Sequence, residues 1–345
     1  MPGLPTRQLG KNGPQVTALG FGCMGLSAFY GAPKLDNERF AVLDKAYALG
    51  ELHWDSADVY ADNEDLLGKW FKQNPGKRDN VFVATKFGFR GFDDGRSEVN
   101  STPEYCREAC EKSLNRLGVP YVDLYYCHRL DGKTPVEKTI EAMAQLKKEG
   151  KVKYLGLSEC SSESLRRAHK VHPISAVQIE YSPFSLDIEN PQIGLLQTCR
   201  ELGVAVVAYS PIGRGMITGH LRSPDDFEDN DFRRLSPRFS KENFPKNLEL
   251  VDRILELAKK KGVTASQLTL AWLLAQGDDI IPIPGTTRVD RLEENVGALN
   301  VKLTKEEEQA IRKACEDAEV HGGRYPEAMS SALFADTPEL KRTCI

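Results

Sequence analysis

The chain has 345 residues, 40% of them hydrophobic, which allows a sizeable core in two domains or in one long α/β barrel. A formal net charge of −4 supplies no basic field, so no nucleic-acid partner is expected. No stretch approaches the roughly 20 apolar residues of a membrane span, and no membrane partner is expected either.

The first residues, Met1-Pro2-Gly3-Leu4-Pro5-Thr6-Arg7, lack the apolar core of a signal peptide. Residues 6–17 predict a β-hairpin around Asn12-Gly13, placed to cap a barrel floor. A first barrel strand is expected over Val16–Gly22 and a second over Leu52–Asp55. The helix from about Asp62 carries Leu66, Leu67, Trp70 and Phe71 on its apolar face. Asn80–Lys86 reads as a strand, and Thr102-Pro103-Glu104 opens a helix with a Thr cap and Pro at its first position. That helix runs through Cys110, Leu114 and Leu117 and stops near Gly118. Tyr121–Cys127 is the next strand, and Thr134-Pro135 starts a helix that ends at Gly150. Tyr154–Ser158, a helix through Leu165 and Ala168, Ala176–Ile179, a helix over Leu195–Leu202, and Val204–Tyr209 follow. A charged loop over 222–245, a lid or disordered segment by its length, precedes helices near 246–261 and 264–276. Ile280–Pro284 is the last strand, and the tail from about Ala318 shows no clear period.

Eight strand ends therefore fall near Gly22, Asp55, Lys86, His128, Ser158, Gln178, Tyr209 and Pro284, mostly 20 to 42 residues apart. Near-continuous apolar strands imply a parallel sheet covered on both faces. The expected fold is α/β, a single (β/α)8 TIM barrel with a hairpin cap, a long loop after strand seven and a C-terminal tail. One domain spans 1–345, with its core at about 6–317 and the tail at 318–345.

Eight cysteines are scattered without a C-x-x-C pair, and in a long chain they read as reduced thiols of a cytoplasmic protein. Cys344 stands two places from the terminus, where prenylation needs four. The six histidines show no metal-binding spacing, so no metal is expected.

Gly20-Phe21-Gly22-Cys23-Met24-Gly25 fits G-x-G-x-x-G, which taken alone suggests a Rossmann dinucleotide fold. The acid expected about 20 residues on is missing: Asp55 comes 30 after Gly25, and eight strands exceed that fold's usual six. The glycines fit better as places where backbone approaches a cofactor at a barrel mouth. Asp55, Tyr60, Lys86 and His128 each sit where an apolar run stops. Singly they read as a helix cap, a surface phenol, a solvated charge and a loop imidazole. Together, at strand carboxyl ends, they are the parts of a proton-donating site. A phenol of pKa near 10 needs a neighbouring ammonium to become more acidic, and a buried ammonium needs a carboxylate. A neutral imidazole can orient a carbonyl while Tyr60 donates to its oxygen and a nicotinamide delivers hydride.

Those residues bring a resemblance with them. Asp55-Ser56-Ala57-Asp58-Val59-Tyr60, Ala84-Thr85-Lys86, Tyr126-Cys127-His128-Arg129, Gly156-Leu157-Ser158-Glu159, Gln178-Ile179-Glu180-Tyr181-Ser182-Pro183, Tyr209-Ser210-Pro211 and Ile283–Asn295 resemble an aldo-keto reductase over nearly the whole chain. The Gly-Leu-Ser-Glu and Gln-Ile-Glu-Tyr-Ser forms are most similar to the branch of plant perakine reductase and microbial aldehyde reductases. The resemblance implies Asp55, Tyr60, Lys86 and His128 as the catalytic set. It implies NADPH, with NADH less favoured, held near Gly22, Cys23, Met24 and Asp55. Ser158 and Gln178 would hold the carboxamide, and Tyr209 would stack on the ring. Ser210, Pro211, Ile212, Gly213, Arg214 and Gly215 would follow the pyrophosphate. Pro284, Gly285, Thr286, Thr287, Arg288, Arg291, Glu294 and Asn295 would form the adenosine end. Many relatives carry Lys where Gly285 stands, so Arg288 or Arg291 is expected to meet the 2′-phosphate. Phe29, Tyr30, Phe87, His128 and Arg129 are expected to shape the pocket for a small-molecule carbonyl substrate. Tyr325-Pro326 and Phe334 could close over it. The implied activity is reduction of aldehydes, and of ketones in addition; the alternative is a nucleotide-binding regulatory subunit of a channel with slow turnover.

Overall fold

Alternation along each strand organises the molecule, a computed structural model that describes residues 3–93 and 96–341. Eight parallel strands form one sheet: β1 (Phe21–Gly22), β2 (His53–Asp55), β3 (Phe82–Phe87), β4 (Val122–Cys127), β5 (Val152–Ser158), β6 (Ala176–Glu180), β7 (Ala205–Tyr209) and β8 (Ile280–Pro282). They pair in chain order. The Gly20 and Gly22 amides donate to the Pro282 and Pro284 carbonyls at 2.9 and 3.2 Å, which joins the first strand to the last. The fold is the (β/α)8 barrel.

Residues facing inward alternate with those facing the helices. Ala84, Leu124, Tyr126, Ala176, Ala205, Val207 and Ile281 fill the barrel, while Trp54, Val83, Phe87, Tyr125, Cys127 and Leu157 pack outward in the larger core. Gly156 makes room for this filling: a Cβ there would stand 2.4 Å from the Tyr126 ring. Inward parity then carries Asp55, Lys86, Ser158, Gln178 and Tyr209 to the same barrel end, and His128 follows β4 directly.

Sequence punctuation predicts several of the helices; Asp36–Leu49, Val289–Gly297 and Lys305–Glu316 lie outside that reading. Thr102 accepts from the Tyr105 amide at the start of Pro103–Leu117, and Gly118 closes it in a left-handed conformation. Thr134 does not cap its helix; Val136–Lys148 begins after Pro135, and Thr134 is tied to Asp131 instead. After β7 come Phe244–Lys261 and Ala265–Ala275, the second with a Thr264–Gln267 capping box.

Several boundaries depart from the sequence reading. The run Val16–Gly22 is divided: Gln15–Thr17 pairs antiparallel with Thr6–Gln8, and only Phe21–Gly22 joins the barrel. The hairpin loop spans six residues, Leu9–Pro14, and Gly10 takes the positive φ of 75° expected at Asn12-Gly13. The hairpin does cap the floor. Leu9 and Val16 join the inner core, and the Arg7 guanidinium donates to the Gly277 and Leu274 carbonyls at 2.7 and 2.6 Å. An unpredicted hairpin, Phe89–Asp93 with Arg96–Val99, leaves β3. Residues 222–245 are three short 3-10 turns rather than disorder; the Phe232 amide donates to the Phe29 carbonyl at 2.9 Å and Arg222 pairs with Asp252 at 2.7 Å.

The tail is ordered as far as described. Ala335 exchanges backbone hydrogen bonds with Glu159 and Ser161, and Arg167 donates to the Thr337 carbonyl at 2.7 Å. Cys344 lies outside the described residues. The other seven cysteines are buried and unbridged. No group of His, Cys, Asp and Glu fit to hold a metal occurs among the described residues, and no helix there is long and apolar enough to cross a membrane.

Candidate active site

The carboxyl ends of the strands open into a cleft of ≈ 370 Å³. At its base Lys86 is fully buried, its ammonium 2.5 Å from Asp55 Oδ1 and 2.6 Å from the Ser56 carbonyl. Gln178 Nε2 donates to the other Asp55 oxygen at 2.8 Å, so both carboxylate oxygens are held. Lys86 Nζ lies 3.4 Å from the Tyr60 hydroxyl and 4.9 Å from its ring centroid. The His128 ring meets the Tyr60 ring edge-on at 5.8 Å, with Phe89 edge-on to the imidazole at 4.9 Å. The four residues expected to act together are therefore neighbours.

Tyr60 rides on a turn between β2 and the helix Asn63–Gln73, and long-range bonds hold that turn. Arg116 donates to the Asp58 carbonyl at 3.0 Å, and also to Ala61, whose φ is 45°. It pairs with Glu64 at 3.0 Å and Asp65 at 2.8 Å. One arginine from the next helix thus sets the turn that aims the phenol.

Burial sets the protonation states. The His128 imidazole is held well below its usual value by desolvation, then by the Arg129 and Lys86 cations, so it is neutral; its Nδ1 is buried with no partner. Burial lowers Lys86, and Asp55 opposes that. Tyr60 corrects the expectation of an acidified phenol. Burial first, then Asp55, pushes it well above 10. The Lys86 ammonium does not offset this because its short contacts go to Asp55 and Ser56. The resting hydroxyl keeps its proton.

Around this base, Gly22, Met24, Phe29, Tyr30, Arg129 and Gln178 line the cleft as expected. So do Tyr209, Ser210, Pro211, Ile212, Arg214 and Gly215, and on the far wall Gly285, Thr286 and Thr287. The Gly22 and Gly285 backbones lie so close that a Cβ on Gly285 would stand 2.6 Å from the Gly22 carbonyl oxygen. The place of the relatives' lysine therefore has no room for a side chain here without a backbone shift. Phe29, Glu159, Ser210 and Arg214 all have positive φ, between 49° and 72°, which costs on the order of 1–2 kcal/mol each and marks a rim shaped against local preference.

Other expected residues lie elsewhere. Phe87 faces outward, stacked on Tyr125 at 5.0 Å, because strand parity that turns Lys86 inward turns its neighbour out. Phe89, two residues on, takes the pocket place. Cys23 is fully buried, its thiol 3.6 Å from the Phe21 carbonyl and its amide bonded to Asp55. Ser158 is buried behind Arg129, which donates to its hydroxyl at 3.2 Å. Gly213 and Pro284 are buried beside the cleft rather than in its lining. Arg288, Arg291, Glu294 and Asn295 stand beyond the rim; Arg288 pairs with Asp290 and Arg291 with Glu294, each at 2.5 Å. Arg214 lines the cleft, but its guanidinium holds Glu180 at 2.9 Å.

The tail supplies what residue patterns missed. Arg324 pairs with fully buried Glu159 at 2.7 Å, and Tyr209 donates to the same carboxylate at 2.7 Å. Tyr325 lies 3.2 Å from the Tyr209 hydroxyl, with the Arg214 guanidinium 4.5 Å from its ring centroid. Tyr325 and Met329 line the cleft; Phe334 does not, packing instead under Arg324 at 5.3 Å. Phe232 and Arg233 from the long loop complete the wall. Only the Tyr325-Pro326 pair in an unpatterned tail hinted at this, and nothing local marked Phe232.

Known proteins resemble this chain in sequence and fold. Residues 18–316 match the model of the Aldo/keto reductase family. The aldo-keto reductase str7 of Strobilurus tenacellus is 55% identical, covering 98% of this chain and 99% of its own. The aldo-keto reductase yakc [NADP(+)] of Schizosaccharomyces pombe is 52% identical over the same shares. A probable aldo-keto reductase 1 of Glycine max is 45% identical, covering 96% of this chain and 95% of its own. Among solved structures, the glycerol dehydrogenase AKR11B4 of Gluconobacter oxydans superposes with a TM-score of 0.79 at 26% identity, covering 91% of this chain and 95% of that one. The thermostable aldo-keto reductase Tm1743 bound to epalrestat gives 0.71 at 29%, covering 90% and 100%. With the barrel, the strand-end cluster and this likeness all agreeing, the chain belongs to the aldo/keto reductase family and is an NAD(P)H-dependent oxidoreductase.

Proposed function

We propose that the protein reduces aldehydes, and ketones small enough to enter, to alcohols with NADPH, Tyr60 being the proton donor. The observation that carries this reading is the cluster of Tyr60, Lys86, Asp55 and His128 at the base of an aromatic-walled cleft. Bound nicotinamide supplies the hydride. The walls fit such a group: backbone without side chains at Gly22 and Gly285, the Gln178 amide, the Tyr209 ring, and the turn Ser210–Gly215 with its positive-φ residues.

Each residue's part follows from its place. His128, neutral and with no carboxylate to hold it, donates a hydrogen bond to the carbonyl oxygen and orients it. Tyr60, a protonated phenol, gives that oxygen its proton as the carbon becomes an alcohol carbon. The phenolate left behind is stabilised by the Lys86 ammonium 3.4 Å away, whose charge Asp55 preserves despite burial. Phe29, Phe89, Phe232 and Tyr325 exclude water from this exchange. Preference for NADPH over NADH is assigned to Arg288 and Arg291 beyond the rim, supported by the NADP(+) in the yakc relative's name. No observation favours a channel-subunit role.

NADPH oxidation with an activated aromatic aldehyde tests the reading, wild type beside Tyr60→Phe. Wild type should turn over, and the variant should lose roughly 10²–10⁴-fold in kcat with NADPH affinity unchanged, the range for general-acid catalysis. Full activity in the variant would remove Tyr60 from its role.

A further inference from the structure

Three arginines line the cleft, and two are neutralised within the protein. Arg214 holds Glu180 at 2.9 Å, and Arg233 holds Asp231 at 2.6 Å. Arg129 differs. It is 4% exposed, yet among the described residues no carboxylate pairs with it. Its hydrogen bonds go to the His128 carbonyl at 2.6 Å and the Ser158 hydroxyl at 3.2 Å, both from Nη1. Nε and Nη2 are left without such a partner. The carboxylate in the cleft lining, Asp55, is already held by Lys86 and Gln178. Glu159 is held by Arg324 and Tyr209.

A guanidinium taken out of water and left unpaired is costly, and proteins pair buried charges or leave them for a ligand. The surroundings of Arg129 are flat apolar groups: Phe89 at 5.6 Å and Tyr325 at 6.0 Å from the guanidinium carbon to each ring centroid. Their ring faces help keep the cation in place but cannot replace a counter-ion. It also follows His128 in sequence, next to the imidazole assigned to the carbonyl oxygen. A fork of N–H donors matches a carboxylate in geometry as well as charge.

Resting on the reductase reading, we infer that Arg129 receives an anionic group of the substrate, so that the cleft prefers flat, aromatic aldehydes carrying a carboxylate. Arg129 is then a specificity residue: it discriminates among aldehydes through ground-state and transition-state binding alike, and it transfers no proton. The aromatic walls take the ring and the fork takes the anion.

The test uses the full chain with NADPH and two matched pairs, 3- and 4-carboxybenzaldehyde against their methyl esters. The ester withdraws electrons more strongly and makes the aldehyde intrinsically the more reactive, so preference for the acid has to come from recognition. Wild type should favour the acid of at least one pair by about tenfold in kcat/KM, chiefly through KM, the scale of one charge-assisted hydrogen bond. Arg129→Met should bring that ratio to one or below, and Arg129→Lys should retain part of it. Absolute rates can fall in both variants; the acid-to-ester ratio is the readout. A wild type that shows no preference for the acid in either pair overturns the inference, and so does an Arg129→Met variant that keeps the acid preference. Loss of NADPH affinity in Arg129→Met, with the ratio unchanged, would make Arg129 a cofactor contact instead. Failure of wild type to reduce any of the four compounds would count against the reductase reading, a different result from reduction without preference.

Discussion

Of the buried cation–carboxylate pairs at the cleft, two are built from contrasting parts of the chain. Lys86–Asp55 joins the ends of two adjacent strands, 31 residues apart, and sits beneath Tyr60 with neither side chain more than 3% exposed. Arg324–Glu159 joins the tail to the end of β5 across 165 residues, with exposures of 6% and 0%. The first pair is fixed by the barrel itself, because inward parity on both strands leaves the side chains no other direction. The second depends on a tail held by backbone bonds at Ala335 and by Arg167 rather than by the sheet. One holds together the site proposed to donate the proton, and the other closes its roof.

The largest effect that would sharpen this contrast is expected from Asp55→Asn. Lys86 would be left buried without its counter-ion, and unfolding free energy should drop by roughly 3–5 kcal/mol in urea titrations, together with loss of turnover. A near-neutral result would mean that Ser56 and Gln178 suffice to hold the ammonium site.

Arg324→Ala should cost less, about 2–3 kcal/mol, because a lifted tail lets water reach Glu159. Hydrogen exchange should quicken at the Ser161 and Ala335 amides while the strands stay protected, and aldehyde KM should rise more than kcat changes. Equal loosening of the barrel strands would erase the distinction between base and roof.

The smallest effect concerns Asp58, which lacks a cation of its own in the turn before Tyr60. Burial, then Glu64, pushes its carboxyl up to about 8, while burial holds the His53 imidazole down at about 4. The signs oppose. A raised carboxyl contributes stability at low pH that is lost as pH climbs toward 8; a depressed imidazole contributes stability that is lost as pH falls from 6.5 toward 4. Between pH 4 and 6.5 the two slopes cancel. From 6.5 to 8 the His53 contribution is complete and Asp58 still acts, beside buried Glu51, whose carboxyl is also held well above its usual range. The Asp58 share of the fall should be at most about 2 kcal/mol, less as water screens this partly exposed group. Urea unfolding at pH 5, 6.5 and 8 should show a decline from 6.5 to 8 in wild type and a smaller one in Asp58→Asn. The same slope in both proteins would place the titrating group elsewhere.

The site's legibility followed the distance over which each part is decided. Asp55, Lys86 and His128 could be found because each ends an apolar run, and Tyr60 because it follows Asp55 by five residues. Phe87 was misplaced because counting pocket residues near a strand end ignores which parity faces inward; Phe89 has the right parity and lies on the hairpin the sequence did not disclose. The tail's contribution was only hinted at, since nothing periodic marks Arg324 or connects it to Glu159.

By itself the sequence determined the number and order of βα units and the polar residues closing them, because strand and helix periods and their caps are local properties. Which phenol is buried enough to keep its proton, which arginine is left without a carboxylate, and what roofs the cleft were decided by the tertiary structure. Burial and charge pairing depend on groups brought together from opposite ends of the chain, and no local pattern specifies those meetings.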